Sequence, residues 1–312
     1  MPAIFMDYPQ QIQNLQSKGL VIPDTTAAID VLRRVGYFQL IGGYKHCFKD
    51  PVTNRYRANA SFNDILALYQ FDRSLRQILL ESLLIVEKVI KTQIAHSFCK
   101  QYGENQSHYL SLSSYHITPN NRNDVRRLIY RLQTLCTKPT NYAYINYHQI
   151  KYHNVPLWIL INALTFGSVS KMYGCLPQSL QSKVARNFPL DTQQLESVIV
   201  LLTKFRNVCA HGERLFSYVS KNSRIRDVLL HEKMNIQKRN GQFIQGKNDL
   251  FAVVIALRYT LKTDEFKSLV RKLDKNFKTI ITSCISINER DLLSLMGFPC
   301  DWKRITRYRV LQ

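Results

Sequence analysis

The chain has 312 residues, of which 45% are apolar, and this composition excludes a disordered protein and allows one large or two ordinary domains. Lysine and arginine number 43 against 22 aspartate and glutamate, which gives a formal net charge of +21. An excess of this size predicts a polyanionic partner, nucleic acid before a membrane surface; the alternative is a basic protein that has no such partner.

The cysteines and the apolar segments indicate the compartment. Seven cysteines are scattered along the chain without a C-x-x-C pair or the Cys/His spacing of a zinc site. The N-terminal residues lack the basic and apolar regions of a signal peptide, and charges interrupt every apolar run before membrane-spanning length. We therefore expect a cytoplasmic protein with no membrane association, no disulfide framework, no metal and no cofactor.

In chain order, the hydrophobic pattern predicts an all-α fold. A long helix is expected over residues 61–102, with Ser61 as its N-cap and Asp64 completing a capping box. Apolar residues at three- and four-residue steps indicate its buried face. Further helices are predicted over 122–136, 156–174, 191–211, 248–260 and 263–276.

The segments between these helices are polar and are interpreted as linkers: 50–60, 103–121, 137–155 and 217–247. We expect an N-terminal helical lead-in (1–60), a helical core (61–276) and a basic C-terminal extension or tail (277–312). Together these parts are predicted to form one compact unit.

The segment "LLTKFRNVCAHGERLF", residues 201–216, separates two faces when it is placed on a helical wheel. One arc is apolar and consists of Val198, Leu201, Leu202, Phe205, Val208 and Cys209. The opposite arc consists of Thr203, Arg206, Asn207, Ala210, His211 and Arg214. Polar residues thus converge on a face that the core does not use, although Gly212 can end the helix just past His211.

These polar residues suit metal-free cleavage of RNA. A histidine such as His211 can transfer a proton near neutral pH, and Arg206 and Arg214 can stabilise charge on a phosphate oxygen. Asn207 can orient the imidazole or the substrate. Because no acidic pair accompanies them, the pattern argues against a magnesium-dependent nuclease.

The Arg-x4-His spacing alone is a weak signal, and the chain contains a second example. Arg226 and His231, in "RDVLLH", have the same spacing, but three apolar residues lie between their polar ends. The pattern favours Arg206 and His211, and leaves a contribution from the second pair open.

Four blocks of the chain carry a family resemblance: "VLRRVGYFQLIGGYKHCF", "LYQFDRSLRQILLESLLIVEKVIKTQI", "VPLWILINALTFGSVSKMY" and "FRNVCAHGERLF". In this order they resemble abortive-infection proteins of the AbiD/AbiF type, which belong to the HEPN superfamily of ribonucleases. The resemblance covers about residues 10–275.

The resemblance implies a HEPN helical bundle and a metal-independent endoribonuclease centre with Arg206 and His211 in catalytic roles and Asn207 supporting. Similar centres in type VI CRISPR effectors combine two R-x4-H sets, so a homodimer with a composite site is expected. Glu87 stands where the family carries an acidic residue. It is expected either to hold Arg206 by a charge-assisted hydrogen bond or to form an exposed pair with Lys91.

Two further basic groups are candidate RNA-binding residues. Arg126, Arg127 and Arg131 form a stripe on one predicted helix. The C-terminal segment interleaves Trp302 and Tyr308 with basic residues, which suits phosphate contact and base stacking, or is only a solvated tail. Its basic residues are Lys303, Arg304, Arg307 and Arg309.

The sequence thus predicts a cytoplasmic endoribonuclease of an abortive-infection or toxin type that defends a prokaryote against phage. It is expected to act on RNA as a homodimer, to leave 2′,3′-cyclic phosphate ends, and to be regulated by a bound RNA. One alternative is a non-catalytic RNA-binding protein. Another is a module for nucleotidyl or AMP transfer, which would require a G-S…D-x-D site that is not visible in the sequence.

Overall fold

The computed structural model describes residues 5–284 and 286–308, and they are mostly helical, as the hydrophobic pattern predicts. These residues form fourteen α-helices: α1 (Tyr8–Ser17), α2 (Thr25–Val35), α3 (Phe62–Tyr102), α4 (Gln106–Leu110), α5 (Arg122–Thr137), α6 (Ala143–Tyr152), α7 (Leu157–Leu160), α8 (Phe166–Cys175), α9 (Gln178–Ala185), α10 (Thr192–Ala210), α11 (Leu229–Lys233), α12 (Leu250–Thr260), α13 (Thr263–Ser283) and α14 (Glu289–Leu295). A two-stranded antiparallel hairpin joins β1 (Lys238–Arg239) to β2 (Gln242–Phe243).

The 41-residue helix α3 is the central element. The Ser61 hydroxyl accepts a hydrogen bond from the Asp64 N–H, and the Asp64 carboxylate accepts one from the Ser61 N–H, so the predicted capping box is present. The main partners of α3 are α13 and α10, and α7 and α9 also pack against it. Its buried stripe includes Leu79, Leu83 and Val86. The helix that carries the Arg-x4-His motif is therefore fixed directly against the longest element of the core.

The single helix predicted over residues 156–174 is wrong. The structure forms α7, a 3₁₀ turn at Ile161–Ala163, and then α8. Leu164 and Thr165 are extended between them, and the Thr165 hydroxyl accepts a hydrogen bond from the Ser168 N–H, which caps a new helix. Helix α8 packs against α5 and α10.

Other boundaries also differ from the predicted ones. The predicted linkers contain the short helices α4, α6 and α11, and α9 lies within residues 175–190, for which the pattern predicts no element. Helix α13 continues to Ser283, so the boundary predicted at residue 276 falls inside a helix.

A short compact segment follows α1 and α2 and packs against α3. After α1 and α2, residues Phe38–Gly42 form a π-helical turn and Lys45–Phe48 a 3₁₀ turn. We call residues 38–48 the N-terminal segment. Its side chains Leu40, Ile41 and Phe48 are buried in the same hydrophobic core as α3.

Residues 302–308, the last that the structure describes, pack on the bundle. Trp302 is buried, and its ring meets Phe277 and Phe298 edge-on at centroid distances of 5.5 and 5.3 Å. The Tyr308 carbonyl accepts a hydrogen bond of 3.0 Å from the Arg258 guanidinium. Trp302 is therefore a core residue and offers no free ring for base stacking.

Candidate active site

The helix with the Arg-x4-His motif, α10, is defined at both ends by its sequence. Asp191 and Gln194 form a reciprocal capping box at the start. At the other end Gly212 has φ +70°, and the Glu213 N–H donates to the Val208 carbonyl at 3.1 Å. This is the Schellman pattern, in which a residue of positive φ, usually glycine, stops the helix. The helix therefore ends at His211, as the position of Gly212 suggests.

The two faces of α10 follow the helical wheel with one exception. All six residues of the apolar arc are buried, whereas Asn207, Ala210 and His211 are exposed. Thr203 was placed on the open arc, but it is buried, and its hydroxyl donates to the Ile199 carbonyl at 2.8 Å. The start of α8 covers Thr203, so the open face of α10 begins one turn later, at Arg206.

Glu87 holds Arg206 from α3. Its Oε2 accepts a hydrogen bond of 3.2 Å from the Arg206 Nε, and its Oε1 lies 2.8 Å from the Lys91 Nζ. The side chain of Glu87 is only 7% exposed, compared with 26% for Arg206 and 12% for Lys91. Both partners considered for Glu87 are thus present, but the carboxylate is buried rather than exposed. Two cations share one carboxylate, which leaves a net positive charge.

The outer part of the site is open to a ligand. Only the Nε of the Arg206 guanidinium bonds to another described residue, so its two terminal nitrogens remain available. Asn207 and His211 are exposed and lie four residues apart, which places them as neighbours on the helix surface. Together these residues present hydrogen-bond donors and an exposed imidazole on one positively charged face.

A buried cluster that sequence reasoning missed fixes the chain just after the motif. The Asp72 carboxylate on α3 accepts hydrogen bonds from the Leu215 and Phe216 N–H groups, the latter at 2.7 Å. It also accepts from the Tyr44 hydroxyl at 2.7 Å and from the Arg76 guanidinium at 2.5 Å. Burial raises the pKa of Asp72, and these donors oppose that rise. We call Tyr44, Asp72 and Arg76 the anchor cluster.

A sequence signal for the anchor cluster existed. Asp72 and Arg76 are four residues apart on α3. They lie on the buried stripe that also contains Leu68, Leu75 and Leu79. A charged pair within a buried stripe requires polar partners, and these come from distant parts of the chain.

The helical wheel places Arg214 beside His211, but the helix ends at His211, so this expected position is wrong. Its guanidinium donates to the Gly43 carbonyl and so ties the loop to the N-terminal segment. In the same segment His46 stacks on Phe216 at a centroid distance of 6.0 Å. Partial burial, and secondarily the Arg214 charge, lowers the pKa of His46. Arg214 thus positions the loop after the motif, and it brings positive charge to the edge of the site.

The second Arg-x4-His pair has a different environment. His231 is fully buried; its Nδ1 accepts from the Val228 N–H at 3.0 Å, and its Nε2 lies 2.8 Å from the Gly246 carbonyl, to which it donates. The ring stacks on Phe243 at 4.9 Å. Burial lowers the pKa of His231. With both ring nitrogens occupied, His231 is a structural residue, while Arg226 lies exposed.

The arginine stripe on α5 divides into two parts. Arg126, Arg127 and Arg131 are all exposed, but only Arg127 and Arg131 line a cleft between α5 and α8.

The basic residues near the C-terminus are partly paired. Lys303 lies 2.9 Å from Asp274, and Arg304 lies 2.6 Å from Asp301. Arg307 is exposed, and Arg309 lies outside the described residues. Among the described residues, no contact brings Lys303, Arg304 or Arg307 to the open face of α10.

In residues 5–284 and 286–308, no three His, Cys, Asp or Glu side chains cluster so as to hold a metal ion. In the same ranges, no helix combines the length and the apolarity that crossing a bilayer requires.

The sequence was compared with family models, curated proteins and solved structures, and one family model matches. A family model described as Abi-like protein matches residues 30–217, which include the N-terminal segment, α3, α10 and the anchored loop. No curated protein and no solved structure matches the chain. Since the match spans more than half of the sequence, the chain belongs to the Abi-like protein family.

Proposed function

We propose that this protein is a metal-independent endoribonuclease of the HEPN type, related to the AbiD and AbiF proteins, which acts in abortive infection against phage in the cytoplasm. One observation carries the proposal. Glu87 holds Arg206 by its Nε, and the free end of the guanidinium shares an exposed face of α10 with Asn207 and His211. Membership in the Abi-like family supports the defence role.

The proposed reaction uses the substrate's own hydroxyl. The 2′-oxygen of RNA bonds to phosphorus while the bond from phosphorus to the 5′-oxygen breaks, which leaves a 2′,3′-cyclic phosphate and a 5′-hydroxyl. The 2′-hydroxyl loses a proton and the 5′-oxygen gains one; His211 carries out a proton transfer at this leaving group. Arg206 stabilises the negative charge on the non-bridging phosphate oxygens, and Asn207 orients the imidazole or the phosphate.

Helix geometry supports a dimeric site. Arg206 and His211 are five residues apart, which on an α-helix is about 7.5 Å along the axis and about 140° around it. Asn207 lies between them, so one chain places its two reactive groups at opposite edges of the open face of α10. A second copy, related by a two-fold axis through the open face of α10, adds a second Arg206 and His211 opposite the first. We propose that the working enzyme is this homodimer.

The charge of the chain supports RNA as substrate and regulator. A net charge of +21 attracts RNA at a distance, and the attraction does not depend on base sequence. A nuclease with such general affinity requires restraint in its own cell. We propose that a bound non-coding RNA occupies the basic surface and limits access to the site.

The test measures cleavage of a single-stranded RNA by the full chain in EDTA, with identification of the product ends. The proposal expects 2′,3′-cyclic phosphate and 5′-hydroxyl ends. It also expects no cleavage of an oligonucleotide with deoxyribose at the scissile position, because that substrate lacks the nucleophile. Glu87→Gln is expected to lower the rate by loosening Arg206, with the fold retained.

Three outcomes would contradict the proposal: dependence on a divalent metal, cleavage of the deoxy-substituted strand, or 3′-hydroxyl ends. RNA binding without cleavage would instead establish the non-catalytic RNA-binding alternative.

A further inference from the structure

The part of the chain between α3 and α10 has an extreme charge composition. Residues 105–190 contain nine lysines and arginines and a single acidic residue, Asp124. They form helices α4 to α9 and the segments between them. A stretch of chain with so few carboxylates favours contact with polyanions, and the position of a binding site depends on where its cations converge.

The cations converge in the cleft between α5 and α8. It has a volume of about 380 Å³, and Arg127, Arg131 and Lys171 line it. Asp124 lies in the same cleft, and its Oδ2 is 2.8 Å from the Lys171 Nζ. The carboxylate thus neutralises the lysine, and the two arginines carry the remaining charge.

The two arginines have no counterion within the described residues. Neither guanidinium forms a salt bridge or a hydrogen bond with any other side chain or backbone group in residues 5–284 and 286–308. Arg127 and Arg131 are four residues apart on α5, where like charges repel each other. Since guanidinium groups bind phosphate oxygens through paired hydrogen bonds, an external phosphate would satisfy both side chains.

The cleft lies beside the proposed active site. Gly167 lines the cleft, and a Cβ at this position would lie 3.8 Å from the Thr203 Cγ2 on α10. Thr203 precedes Arg206 by three residues and Asn207 by four, so the three residues share one face of α10 within about one helical turn, 5.4 Å. The start of α8 therefore lies between the cleft and the open face of α10.

We propose that the cleft between α5 and α8 is a phosphate subsite that holds the RNA strand next to the scissile phosphate through Arg127 and Arg131. This inference rests on the proposed ribonuclease function, because it assigns the strand a path from the reacting phosphate into the cleft. The two arginines bind and position the strand and take no part in the chemical step. Arg126, on the same helix but outside the cleft, does not belong to the subsite.

The test measures the affinity of the full chain for a fluorescent single-stranded RNA over a range of NaCl concentrations, with His211→Ala in the background to prevent cleavage. Arg127→Gln/Arg131→Gln is compared with Arg122→Gln/Arg126→Gln, which removes the same charge from the same helix outside the cleft. The expected result is at least a tenfold loss of affinity for the cleft variant and less than a threefold loss for the control.

The salt dependence gives a second readout. The loss of two phosphate contacts is expected to reduce the slope of the logarithm of the association constant against the logarithm of the NaCl concentration by about 1.4. Each contact to a single strand contributes about 0.7 to this slope. Arg127→Lys/Arg131→Lys is expected to retain that slope because the charges remain. Equal losses in the cleft and control variants, no loss in either, or no binding of RNA by the parent chain would overturn the subsite.

Kinetics without the His211 substitution separate the subsite from the proposed function. Arg127→Gln/Arg131→Gln is expected to raise KM with kcat unchanged, as for a residue that binds substrate and transition state equally. Cleavage that proceeds normally in this variant would overturn the subsite and leave the ribonuclease proposal intact. Selective loss of RNA binding in a chain that never cleaves RNA would retain the subsite and contradict the ribonuclease.

Discussion

Two segments of the molecule have the same Arg-x4-His spacing and opposite environments. His211 ends a 19-residue helix at an exposed surface, beside an arginine that a buried carboxylate holds. His231 lies in a five-residue helix, fully buried, with both ring nitrogens bonded. The spacing alone therefore does not determine the environment of the two side chains. At Arg206 and His211 the helix ends at the histidine and leaves it exposed, and the distant Glu87 holds the arginine.

The largest change in stability is expected at the anchor cluster, which fixes the residues that follow His211. Asp72→Ala leaves the Arg76 guanidinium, the Tyr44 hydroxyl and two backbone N–H groups without their acceptor. We expect a loss of about 3–5 kcal/mol in the free energy of unfolding, measured by urea denaturation. Asp30→Ala, at an exposed pair with Arg33, is the control and should change stability by less than about 0.5 kcal/mol. A loss below about 1 kcal/mol for Asp72→Ala would show that Asp72 does not anchor the residues after His211.

The second effect compares the two histidines directly. His231→Ala removes the partners of the Val228 N–H and the Gly246 carbonyl and opens a cavity against Phe243. A loss of about 3 kcal/mol is expected. His211→Ala, at an exposed helix end, should change stability by less than about 0.5 kcal/mol. Similar losses of stability in the two variants, measured by urea denaturation, would contradict the different environments of His211 and His231.

The third effect is a dependence of stability on pH. Burial lowers the pKa of His231 from its ordinary value of 6.5, so below about pH 6.5 the unfolded chain takes up a proton that the folded chain does not. Stability contributed by the neutral ring is therefore complete above pH 6.5 and is lost as pH falls below it, by at most about 1.4 kcal/mol per pH unit.

Thermal denaturation between pH 7.5 and 5.5 measures this dependence. His231→Gln should flatten the curve, and the contribution of His46, whose pKa is also lowered by burial, should remain. An unchanged curve in His231→Gln would show that His231 is not the buried neutral group.

The smallest effect concerns the glycine that ends α10. Gly212 has φ +70°, a conformation that costs an alanine about 1 kcal/mol, although no atom lies within 4 Å of the added Cβ. Gly43→Ala is the matched control, because Gly43 has φ −73° and equally open surroundings. Gly212→Ala should lower stability by about 1 kcal/mol and Gly43→Ala should not. Equal results would show that the stop at His211 does not depend on glycine.

Features decided by neighbouring residues could be predicted from the sequence. The start of α3 follows from Ser61 and Asp64, which bond to each other across three residues. The end of α10 follows from Gly212, and the exposure of Asn207 and His211 follows from the apolar arc opposite them. Each depends on hydrogen bonds or burial within one helix, so its signal lies within a short window.

Features that depend on distant contacts could not be predicted. The Asp72 carboxylate accepts hydrogen bonds from the N–H groups of residues 215 and 216, which no local pattern indicates. The contact of Glu87 with Arg206 is expected only from the family resemblance, as an alternative to a pair with Lys91, and the structure contains both contacts. The burial of His231 depends on Gly246 and Phe243, which follow it in the hairpin region. The break before α8 was missed because Thr165 caps a new helix where the apolar pattern continues.

The central claim is that Arg206 and His211, and not any exposed arginine and histidine, carry out cleavage. The most direct measurement compares the rate of RNA cleavage in EDTA for Arg206→Ala/His211→Ala and for Arg226→Ala/His116→Ala, which removes an exposed pair outside the site. The account predicts a loss of about a thousandfold or more in the first variant and a change of less than about twofold in the second. Equal rates in the two variants, whether both lowered or both unchanged, would contradict it.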